Sequence, residues 1–522
     1  MKVCILAAGQ GTRMGKFSTL THKTLLPLGN VAILTRIINQ FKDCDDFVIA
    51  VGDKKELVED YVKIAHPEIN VTFMIVENFS GTGSGPGFTL FECKHCLQEP
   101  FIFTACDTII TSSIPNLNQN WIGVKEVNDI EKWCSVKTDS NHFVCDFFYK
   151  QPVDTKLAFI GIAYVHDYQD FWDAFNHNNG LIGNELQVNN GLNGLIPKGL
   201  LTQQMDWIDT GTETNYINSL KYFEKNFSFA EKHTDITYRI NDNIIKFFPD
   251  KSISELRFTR AKSYKNIFTS VKNKTGNYYS YLYQPGNVLS KELTYHKCLS
   301  FLEWAQKNLW IKDLSTNSIE FEKITYMFYF TKTMRRIDTF IDKFLPEKKE
   351  SNVTINALSC ACAKDLVREI DQNFYKESLP SMYHGDLHAD NIICTSENDY
   401  RLIDWRHNFG DSVHIGDLYY DLSKFYHTLV LSVNTMEKNY FHTKTIDMKK
   451  NQIFINHALN FNEFDAADAF WRFIKQYDYD PKRIKIIDAL IFLNMSPLYS
   501  QSMAIYLYYL GRYLLHKALH IS

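Results

Sequence analysis

Short apolar runs alternate with segments of helical period through residues 1–230. This pattern predicts strands and helices in turn, which is typical of a parallel sheet with helices on both faces. The predicted strands are Val3–Ala8, Asp46–Val51, Val71–Val76 and Pro100–Ala105, and the predicted helices are Ala32–Phe41, Lys55–Ile64 and Thr89–Cys96. After Asp107 the alternation becomes irregular, and strands are predicted at Trp121–Val127 and Leu157–Val165. The first part of the chain is therefore predicted to be a doubly wound α/β domain.

The pattern changes after a polar, unpatterned segment at residues 225–235. Short strands are then predicted at Thr237–Ile240, Ile244–Phe248 and Tyr278–Tyr283. Long helical stretches follow, including Thr294–Asn308, Ile355–Asp371 and the final Ile484–Leu519, which we expect to be core helices. Because 522 residues exceed what one core usually serves, we predict two domains, 1–228 and 229–522. The second should be an α+β domain with a small β lobe and a large α lobe.

A glycine-rich turn follows the first predicted strand, in the sequence Leu6-Ala7-Ala8-Gly9-Gln10-Gly11-Thr12-Arg13. Glycines allow the backbone to approach a ligand closely, and successive amides in such a turn form an anion-binding concavity. Arg13 and the nearby Lys23 add positive charge. Ligands of parallel sheets bind at the carboxyl ends of strands, which is where this turn lies. The combination suits a nucleoside triphosphate.

This stretch resembles the signature L-x-x-G-x-G-x-R-[ML], followed by a lysine near a proline, of the nucleotidyltransferases that activate sugar phosphates and phosphocholine. The sequence His22-Lys23 is also similar to the phosphocholine cytidylyltransferases. The resemblance implies a Rossmann-like, GT-A-like domain in which Arg13 and Lys23 are catalytic. It implies nucleotide contacts from Leu6, Ala8, Gly9, Gly11 and Thr12.

Two aspartates complete the resemblance. Asp107 follows the predicted strand at Phe101–Cys106, and Asp209 lies in a W-x-D-x-G-T segment. In the family, such aspartates hold Mg²⁺ while a phosphate oxygen attacks the α-phosphorus in line and pyrophosphate leaves. Because no covalent protein intermediate is needed, positioning and charge neutralisation are the whole task.

A second glycine-rich loop includes Gly81, Thr82 and Gly83 and lacks the Gly-Lys-Ser/Thr ending of a P-loop. By resemblance it is the loop that reads the nucleobase, and we expect CTP from the His22-Lys23 form. Acceptor-binding candidates are Asp129, Trp133, Lys150 and Glu185, with Trp172 and Trp207 as further aromatic candidates. Aromatic faces could enclose a quaternary ammonium or stack on a sugar, or could simply belong to the core.

The sequence His384-Gly385-Asp386, with Asn391 and the later Asp404, is the most specific short motif of the chain. It resembles the catalytic loop and metal-binding aspartate of the aminoglycoside phosphotransferase and choline/ethanolamine kinase family. The resemblance implies a two-lobed, protein-kinase-like domain that uses ATP. Asp386 would accept the proton of the substrate hydroxyl or orient that hydroxyl, and Asn391 and Asp404 would bind Mg²⁺.

Further residues follow from the same resemblance. Lys246 is expected to reach the ATP phosphates from a strand, and Glu255 to pair with it. Asp417 and Asp421 are expected to support the catalytic loop. The glycine-rich loop of protein kinases is absent from this sequence, which argues against a protein kinase rather than against ATP use.

Composition excludes some classes of partner. The formal net charge of −4 does not indicate a basic surface, so nucleic acid is not an expected partner. The sequence contains no run of 18 apolar residues, so it predicts no membrane-spanning helix. Eleven cysteines in so long a chain suggest reduced thiols and a cytoplasmic location. Small-molecule substrates are the expected partners, and a homo-oligomer is compatible with the sequence.

The leading hypothesis is a bifunctional enzyme for bacterial surface glycan or capsule synthesis. Its kinase domain would phosphorylate a small alcohol such as choline or ethanolamine with ATP, and its first domain would transfer CMP from CTP to the product. One alternative is a sugar kinase joined to a sugar-phosphate nucleotidyltransferase. A non-catalytic regulatory protein on these folds and an antibiotic-resistance kinase are further alternatives.

Overall fold

The computed structural model describes residues 1–521 apart from 42, 150, 152, 178–179, 224–234, 346–348, 448–450 and 460. The described chain divides into two compact units. Residues 1–223, 235–251 and 273–280 form the first unit, and residues 252–272 and 281–521 form the second. The boundary predicted between residues 228 and 229 lies outside the described residues and stays a prediction.

The first unit is built around a mixed sheet with helices on both faces. Its strands are β1 Lys2–Ala7, β2 Pro27–Leu28, β3 Val31–Ala32, β4 Asp46–Val51, β5 Asn70–Ile75, β6 Phe101–Ala105, β7 Thr108–Ile110, β8 Trp121–Glu126, β9 Cys134–Thr138, β10 Val144–Tyr149, β11 Leu157–Val165, β12 Leu201–Gln204, β13 Trp207–Asp209, β14 Ile236–Ile240 and β15 Asn243–Phe247. Its helices are α1 Ile33–Ile38, α2 Lys55–Ala65, α3 Pro86–Glu92, α4 Tyr168–His177, α5 Asn189–Leu192 and α6 Glu213–Phe223. The predicted α/β alternation is confirmed.

The main sheet has the strand order β10-β9-β11-β6-β1-β4-β5, with β8 pairing with β11 and β12. Strands β6, β1, β4 and β5 are parallel, and β11 runs antiparallel to β6. Leu6 on β1 lies opposite Ala105 on β6. The glycine-rich turn and Asp107 therefore leave neighbouring strands at the same edge of the sheet.

The alternation along the strands divides their side chains between two hydrophobic cores. Val3 and Ile5 on β1 belong to one core, and Cys4 and Leu6 belong to the other. A sheet that is covered on both faces explains why these strands read as continuous apolar runs. Strands β14 and β15 extend the first core, where Tyr238 packs with its ring centroid 5.0 Å from that of Tyr61.

After β15 the chain is mainly helical, although residues 273–280 of the next two strands belong to the first unit. Its helices are α7 Lys251–Ser263, α8 Tyr295–Asn308, α9 Ser318–Tyr326, α10 Lys332–Phe344, α11 Ala363–Arg368, α12 Asn373–Lys376, α13 Leu418–Val430, α14 Val433–Glu437, α15 Phe461–Gln476, α16 Pro481–Met495 and α17 Gln501–His520. Its strands are β16 Val271–Thr275, β17 Tyr278–Leu282, β18 Asn287–Val288, β19 Val353–Ile355, β20 Leu358–Cys360, β21 Pro380–Met382, β22 Ile392–Cys394, β23 Tyr400–Leu402, β24 Ile415–Asp417, β25 Phe441–Asp447 and β26 Gln452–His457. No helix in the described part of the chain is long and apolar enough to cross a membrane.

The prediction of a helix over Ile355–Asp371 is wrong. Strands β19 and β20 form an antiparallel hairpin there, and only Ala363–Arg368 is helical. The hairpin turn consists of Asn356 and Ala357, both with positive φ, of 47° and 68°. Two central residues in the left-handed region match the twist of the strands in a two-residue hairpin. The prediction failed because the spacing of apolar residues in a short run does not distinguish a strand from a helix.

The final predicted helical stretch, Ile484–Leu519, resolves into two helices, α16 and α17, separated by a short 3₁₀ turn at Ser496–Leu498. Pro497 lies in that turn, where its ring and missing amide proton disfavour a continuous helix. Both helices contribute buried side chains to a core, including Phe492 and Leu507. Their prediction as core helices is confirmed.

Candidate active site

The glycine-rich turn is held in place by His22. The His22 side chain is buried, and its Nε2 lies 3.1 Å from the carbonyl oxygen of Gly9. The backbone N–H of Thr24 donates to His22 Nδ1 at 3.3 Å, so the ring proton lies on Nε2 and is donated to Gly9. Burial, together with the charge of Lys23, lowers the pKa of His22 to about 4. His22 is therefore a neutral brace for the turn, a role that the sequence analysis missed.

Gly11 explains how Lys23 reaches the site. Gly11 has φ of 67°, and a Cβ at this position would lie 3.3 Å from both Cβ and Cδ of Lys23. Only a residue without a side chain fits this left-handed backbone and leaves the lysine stem its path. The turn thereby directs the ammonium of Lys23 toward the end of β6.

Lys23 and Asp107 form a close ion pair. Nζ of Lys23 donates to Oδ2 of Asp107 at 2.6 Å, and both side chains are largely shielded from solvent. Burial opposes ionisation of Asp107, but the positive charges of Lys23 and Arg13 outweigh it, and the pKa of Asp107 lies below its usual value. The pKa of Lys23 is raised despite its burial, because the Asp107 carboxylate stabilises the ammonium. Both groups are charged at neutral pH.

Asp209 lies beside Asp107 across Gly211. A Cβ at Gly211 would lie 3.0 Å from Asp107 Oδ2 and 3.1 Å from Asp209 Oδ1, so both carboxylates face the same point. Asp209 accepts hydrogen bonds from Gly211 N at 2.8 Å and from Asn215 Nδ2 at 2.5 Å. Burial and then the charge of Asp107 raise the pKa of Asp209. A carboxylate whose ionisation is disfavoured by a neighbouring carboxylate is a natural place for a cation.

The donor set fits Mg²⁺ bound together with a triphosphate. Among the described residues there is no group of three or more His, Cys, Asp and Glu side chains that could hold a metal alone. Mg²⁺ is usually bound by one or two carboxylates plus substrate phosphates and water, so Asp107 and Asp209 would suffice. The metal would neutralise phosphate charge between them.

A cleft of about 590 Å³ contains Asp107 in its lining. It is lined by the predicted residues Leu6, Gly9, Gly11, Thr12, Arg13, Lys23, Gly81, Asp107 and Glu185. Ala8 is buried beneath the turn, where its carbonyl oxygen accepts from Asp53 N at 3.0 Å. Thr82 and Gly83 belong to the loop at the rim but do not line the cleft. The volume is in the range of small-molecule sites.

Two loops close the far side of this cleft by pairing their backbones. Gly83 N donates to Asn184 O at 2.9 Å, and Leu186 N donates to Ser84 O at 2.8 Å. Gly85 has φ of 116°, and a Cβ there would lie 2.8 Å from Cβ of Glu185. The glycines thus serve close loop packing as well as access to a ligand, and this pairing had no signal in the sequence.

A second cleft, of about 740 Å³, lies on the other side of Asp209, and we call it the aromatic cleft. Its lining includes Asp129, Trp133, Trp207, Asp209 and Tyr222. The ring centroids of Trp133 and Trp207 are 5.5 Å apart in an edge-to-face arrangement, and Trp133 Nε1 donates to Asp129 Oδ1 at 3.2 Å. The structure therefore brings two predicted acceptor residues, Asp129 and Trp133, next to a predicted metal ligand.

The remaining acceptor candidates that the structure describes do not line the aromatic cleft. Glu185 lines the first cleft, where its Oε2 accepts from Gln187 Nε2 at 3.1 Å. Trp172 is buried in the core, stacked on Phe101 and donating to the carbonyl oxygen of Leu97. Lys150 lies outside the described residues.

In the second unit, Asp421 supports the loop that carries Asp386. The buried Asp421 carboxylate accepts from the backbone N–H groups of His384 at 2.6 Å and Gly385 at 2.7 Å. Asp417 accepts from Leu379 N and from the Tyr329 hydroxyl. Both aspartates therefore make structural hydrogen bonds.

His384 braces this loop much as His22 braces the first one. Asp386 N donates to His384 Nδ1 at 3.1 Å, and His384 Nε2 lies 2.8 Å from the carbonyl oxygen of Ile403. Burial lowers the pKa of His384 to about 3, so the ring is neutral. The contact with Ile403 O ties the loop to the segment that ends at Asp404, whose φ is +57°.

Asp386 is paired with a buried lysine. Lys424 Nζ lies 2.8 Å from Asp386 Oδ1, and Asn391 Nδ2 donates to the backbone carbonyl oxygen of Asp386 at 2.9 Å. The Lys424 pKa is raised, because the Asp386 carboxylate outweighs the effect of burial. The motif residues Asp386 and Asn391 are thus brought together.

Lys246 and Glu255 fall in different units. Lys246 is buried on β15 of the first unit, where its Nζ lies 3.6 Å from Oδ2 of Asp235. Glu255 lies on α7 in the second unit. The predicted pairing of the two stays a prediction.

Known proteins resemble the first part of the chain. Residues 3–120 match the model of the MobA-like NTP transferase domain. The chain is 22% identical over 254 residues to the bifunctional protein GlmU of Methanococcus aeolicus, covering 47% of this chain and 58% of that protein. It is 26% identical over 157 residues to GlmU of Methanococcus vannielii, covering 30% of this chain and 36% of that protein. The chain thus spans less than two thirds of the length of these relatives.

Among solved structures, UDP-glucose pyrophosphorylase complexed with UDP-glucose is 16% identical, with a TM-score of 0.39, and covers 43% of this chain and 99% of that chain. The UTP-bound UGPase from Acinetobacter baumannii is 14% identical, with a TM-score of 0.36, and covers 44% of this chain and 94% of that chain. The family comparison therefore identifies residues 3–120 as similar to the MobA-like NTP transferase domain.

Proposed function

We propose that the first unit transfers a nucleotidyl group from a nucleoside triphosphate to the phosphate of a small molecule and releases pyrophosphate. The observation that carries this proposal is the pair of Lys23 and Asp107 in a glycine-lined cleft, with the Asp209 carboxylate beside Asp107 across Gly211. The reaction requires positive charge near the phosphates of both the nucleotide and the acceptor. The lysine ammonium provides one positive charge, and a metal ion held by the two carboxylates would provide the other.

The chain's own residues provide positioning and electrostatic stabilisation. The amides of the turn at Gly9 to Thr12 would bind phosphate oxygens, with Arg13 at the exposed rim. Lys23 would neutralise charge that develops at the α-phosphate. Asp107 and Asp209 would hold Mg²⁺, which supplies Lewis-acid activation when bound. An acceptor phosphate oxygen would then form the new bond to the α-phosphorus as the bond to pyrophosphate breaks.

For the acceptor, we propose a phosphorylated small alcohol with a cationic head such as choline, and CTP as the nucleotide. The aromatic cleft supports this choice, because Trp133, Trp207 and Asp129 offer aromatic faces and a carboxylate next to Asp209. A sugar phosphate stacked on the same aromatic faces is the alternative. With either acceptor, we propose a cytoplasmic role in supplying activated groups for surface glycans.

For the second unit, we propose an ATP-dependent kinase of a small alcohol. The observation that favours it is the supported loop with Asp386, paired with Lys424 and followed by Asn391 and Asp404. Asp386 would receive the proton of the hydroxyl that attacks the γ-phosphate. Asn391 and Asp404 supply the oxygen ligands that a Mg²⁺–ATP complex requires.

One experiment tests the transferase activity and its independence from Asp386. Each of four nucleoside triphosphates is mixed with Mg²⁺ and with phosphocholine, phosphoethanolamine or glucose 1-phosphate, and pyrophosphate release is measured. The proposal expects turnover with CTP and phosphocholine that disappears in Asp107→Asn and persists in Asp386→Asn. Turnover only with glucose 1-phosphate would favour the sugar alternative. No release with any combination would contradict the transferase and favour a non-catalytic role.

A further inference from the structure

A third cleft of about 320 Å³ lies beside Asp386 within the second unit, and we call it the basic cleft. Its basic lining residues are Arg257, Lys332, Arg336, Arg406 and Lys424. Asp386 is the one carboxylate among the described residues that line it. Positive charge therefore exceeds negative charge at the place where the alcohol of a kinase reaction would lie.

The excess remains after pairs are assigned. Lys424 is neutralised by Asp386 at 2.8 Å. No ion pair to a carboxylate is formed by Lys332, Arg336 or Arg406 within the described part of the chain. Arg406 Nε donates to the carbonyl oxygen of Asn408 at 2.9 Å, and the buried Nε of Arg336 has no hydrogen-bond acceptor among the described atoms. These three basic side chains thus lack a carboxylate partner.

Local structure concentrates these charges. A π-helical turn, Met327–Thr331, leads into helix α10 and places Phe328 and Lys332 in the cleft. Lys332 Nζ lies 4.1 Å from the centroid of the Phe328 ring, and Arg406 Cζ lies 5.1 Å from the same centroid. Burial, followed by the charges of Arg406 and Arg336, holds the pKa of Lys332 well below its usual value. Shielded like charges are costly unless an anion joins them.

We infer that the basic cleft binds a small alcohol that carries a second, anionic group, a carboxylate or a phosphate, near Lys332, Arg336 and Arg406. This inference rests on the proposed kinase activity of the second unit. The alcohol oxygen forms a bond to the γ-phosphorus of ATP, the bond from that phosphorus to the β-γ bridging oxygen breaks, and ADP leaves. The hydroxyl proton passes to Asp386. A quaternary ammonium would add positive charge to a cluster that already has an excess.

The test compares alcohols of similar size and different charge. D-Glycerate, glycerol 3-phosphate, glycerol and choline are each incubated with the full-length protein, Mg²⁺ and ATP, and new phosphoesters are followed by ³¹P NMR. The expected result is phosphorylation of one or both anionic alcohols, with kcat/KM at least about 100-fold above that of glycerol and of choline. The two anionic arms distinguish a carboxylate from a phosphate. Preference for choline or glycerol would overturn the inference.

Arg336→Gln and its neighbour on the same helix, Arg335→Gln, form a matched pair, because Arg335 is exposed and does not line the cleft. Arg336→Gln should raise KM for the anionic alcohol about tenfold and leave KM for ATP unchanged, since one charge-assisted contact is lost. Arg335→Gln should change neither constant. If Arg336→Gln alters KM for ATP instead, the cleft belongs to the nucleotide and the inference is wrong.

Binding separates this inference from the kinase proposal. If no alcohol is phosphorylated, the kinase proposal fails, and glycerol 3-phosphate is titrated calorimetrically into the wild-type protein and both variants. Weaker binding by Arg336→Gln than by Arg335→Gln would still support an anion site. Equal binding by all three proteins, or none, would overturn it.

Discussion

The aromatic cleft of the first unit and the basic cleft of the second unit differ in charge. The aromatic cleft presents two tryptophan rings with Asp209 and with Asp129, which pairs with Lys132 at 3.0 Å, whereas the basic cleft presents Lys332, Arg336 and Arg406 beside Asp386, which pairs with Lys424. An acceptor with a cationic head suits the first cleft, and an alcohol with an anionic group suits the second. A single relay, in which the second unit phosphorylates choline for the first, does not follow from these two linings.

The largest effect is expected from Asp107→Asn. Removing this carboxylate takes away a metal ligand and leaves the Lys23 ammonium unpaired, so nucleotide transfer should fall at least about 100-fold. Pyrophosphate release measures it, with alcohol phosphorylation as the internal control. Asp209→Asn serves as a second test, because the amide keeps part of the contacts with Gly211 and Asn215 and leaves the Lys23–Asp107 ion pair intact. Full transfer activity in both variants would contradict the proposed site.

A loss of comparable size, in the other reaction, is expected from Asp386→Asn. The amide cannot accept the proton of the attacking hydroxyl, so phosphorylation of the alcohol should fall about 100-fold or more. Nucleotide transfer by the first unit should stay within about twofold of the wild type. If this change abolished both reactions while the thermal unfolding curve stayed the same, the model of two independent sites would be wrong.

A smaller effect is expected from Trp133→Ala. Loss of one aromatic face should raise KM for phosphocholine about tenfold with little change in KM for CTP, as expected for a desolvated cation–π contact. Trp133→Phe keeps an aromatic face and should recover most of the affinity. Steady-state kinetics with each substrate varied in turn provides the measurement. An equal change in both KM values would argue that Trp133 acts on the fold rather than on the acceptor.

The smallest effect is a dependence of stability on pH. The pKa of His22 is about 4 in the folded state and about 6.5 when unfolded, so the unfolded state binds more protons between these values. Stability therefore rises as pH increases from 4 to 6.5 and is lost as pH falls through that range. At pH 5 the cost is about 2 kcal/mol relative to pH 8.

Denaturant unfolding of the wild-type protein and of His22→Gln at pH 5 and pH 8 measures this effect. The variant should lose about 2 kcal/mol less on acidification than the wild type does. His384, whose pKa is also depressed, remains in both proteins and contributes equally to each. An identical loss in both proteins would show that the His22 ring is not buried in its neutral form.

Much of the first unit was predictable because a covered parallel sheet imposes one pattern on the sequence. The strands β4 and β11 begin close to where the apolar runs begin, and Asp107 follows β6 as expected. The roles of His22 and of the loop at Asn184 were not predictable, because they depend on backbone carbonyl and amide groups that any residue carries. A side chain that bonds to backbone leaves no partner signal in the sequence.

The second unit was harder to predict. The loop at His384 to Asn391 was found by its motif, but the hairpin at Asn356 was predicted as a helix. The basic cleft had no sequence signal, because Lys332, Arg336 and Arg406 come from separate positions that only the packing of α10 against its neighbours unites. A cluster of charges formed by residues that are distant in the sequence cannot be predicted until the fold is known.

The difference between the two clefts is tested most directly by one ³¹P NMR measurement on the wild-type protein. ATP, CTP and Mg²⁺ are supplied with choline, D-glycerate, glycerol 3-phosphate and phosphocholine in separate samples, and phosphomonoester and diphosphate-diester signals are followed. We predict that phosphocholine is converted to its CDP derivative, that one or both of the anionic alcohols are phosphorylated, and that choline is not. Rapid phosphorylation of choline without phosphorylation of either anionic alcohol would contradict the account.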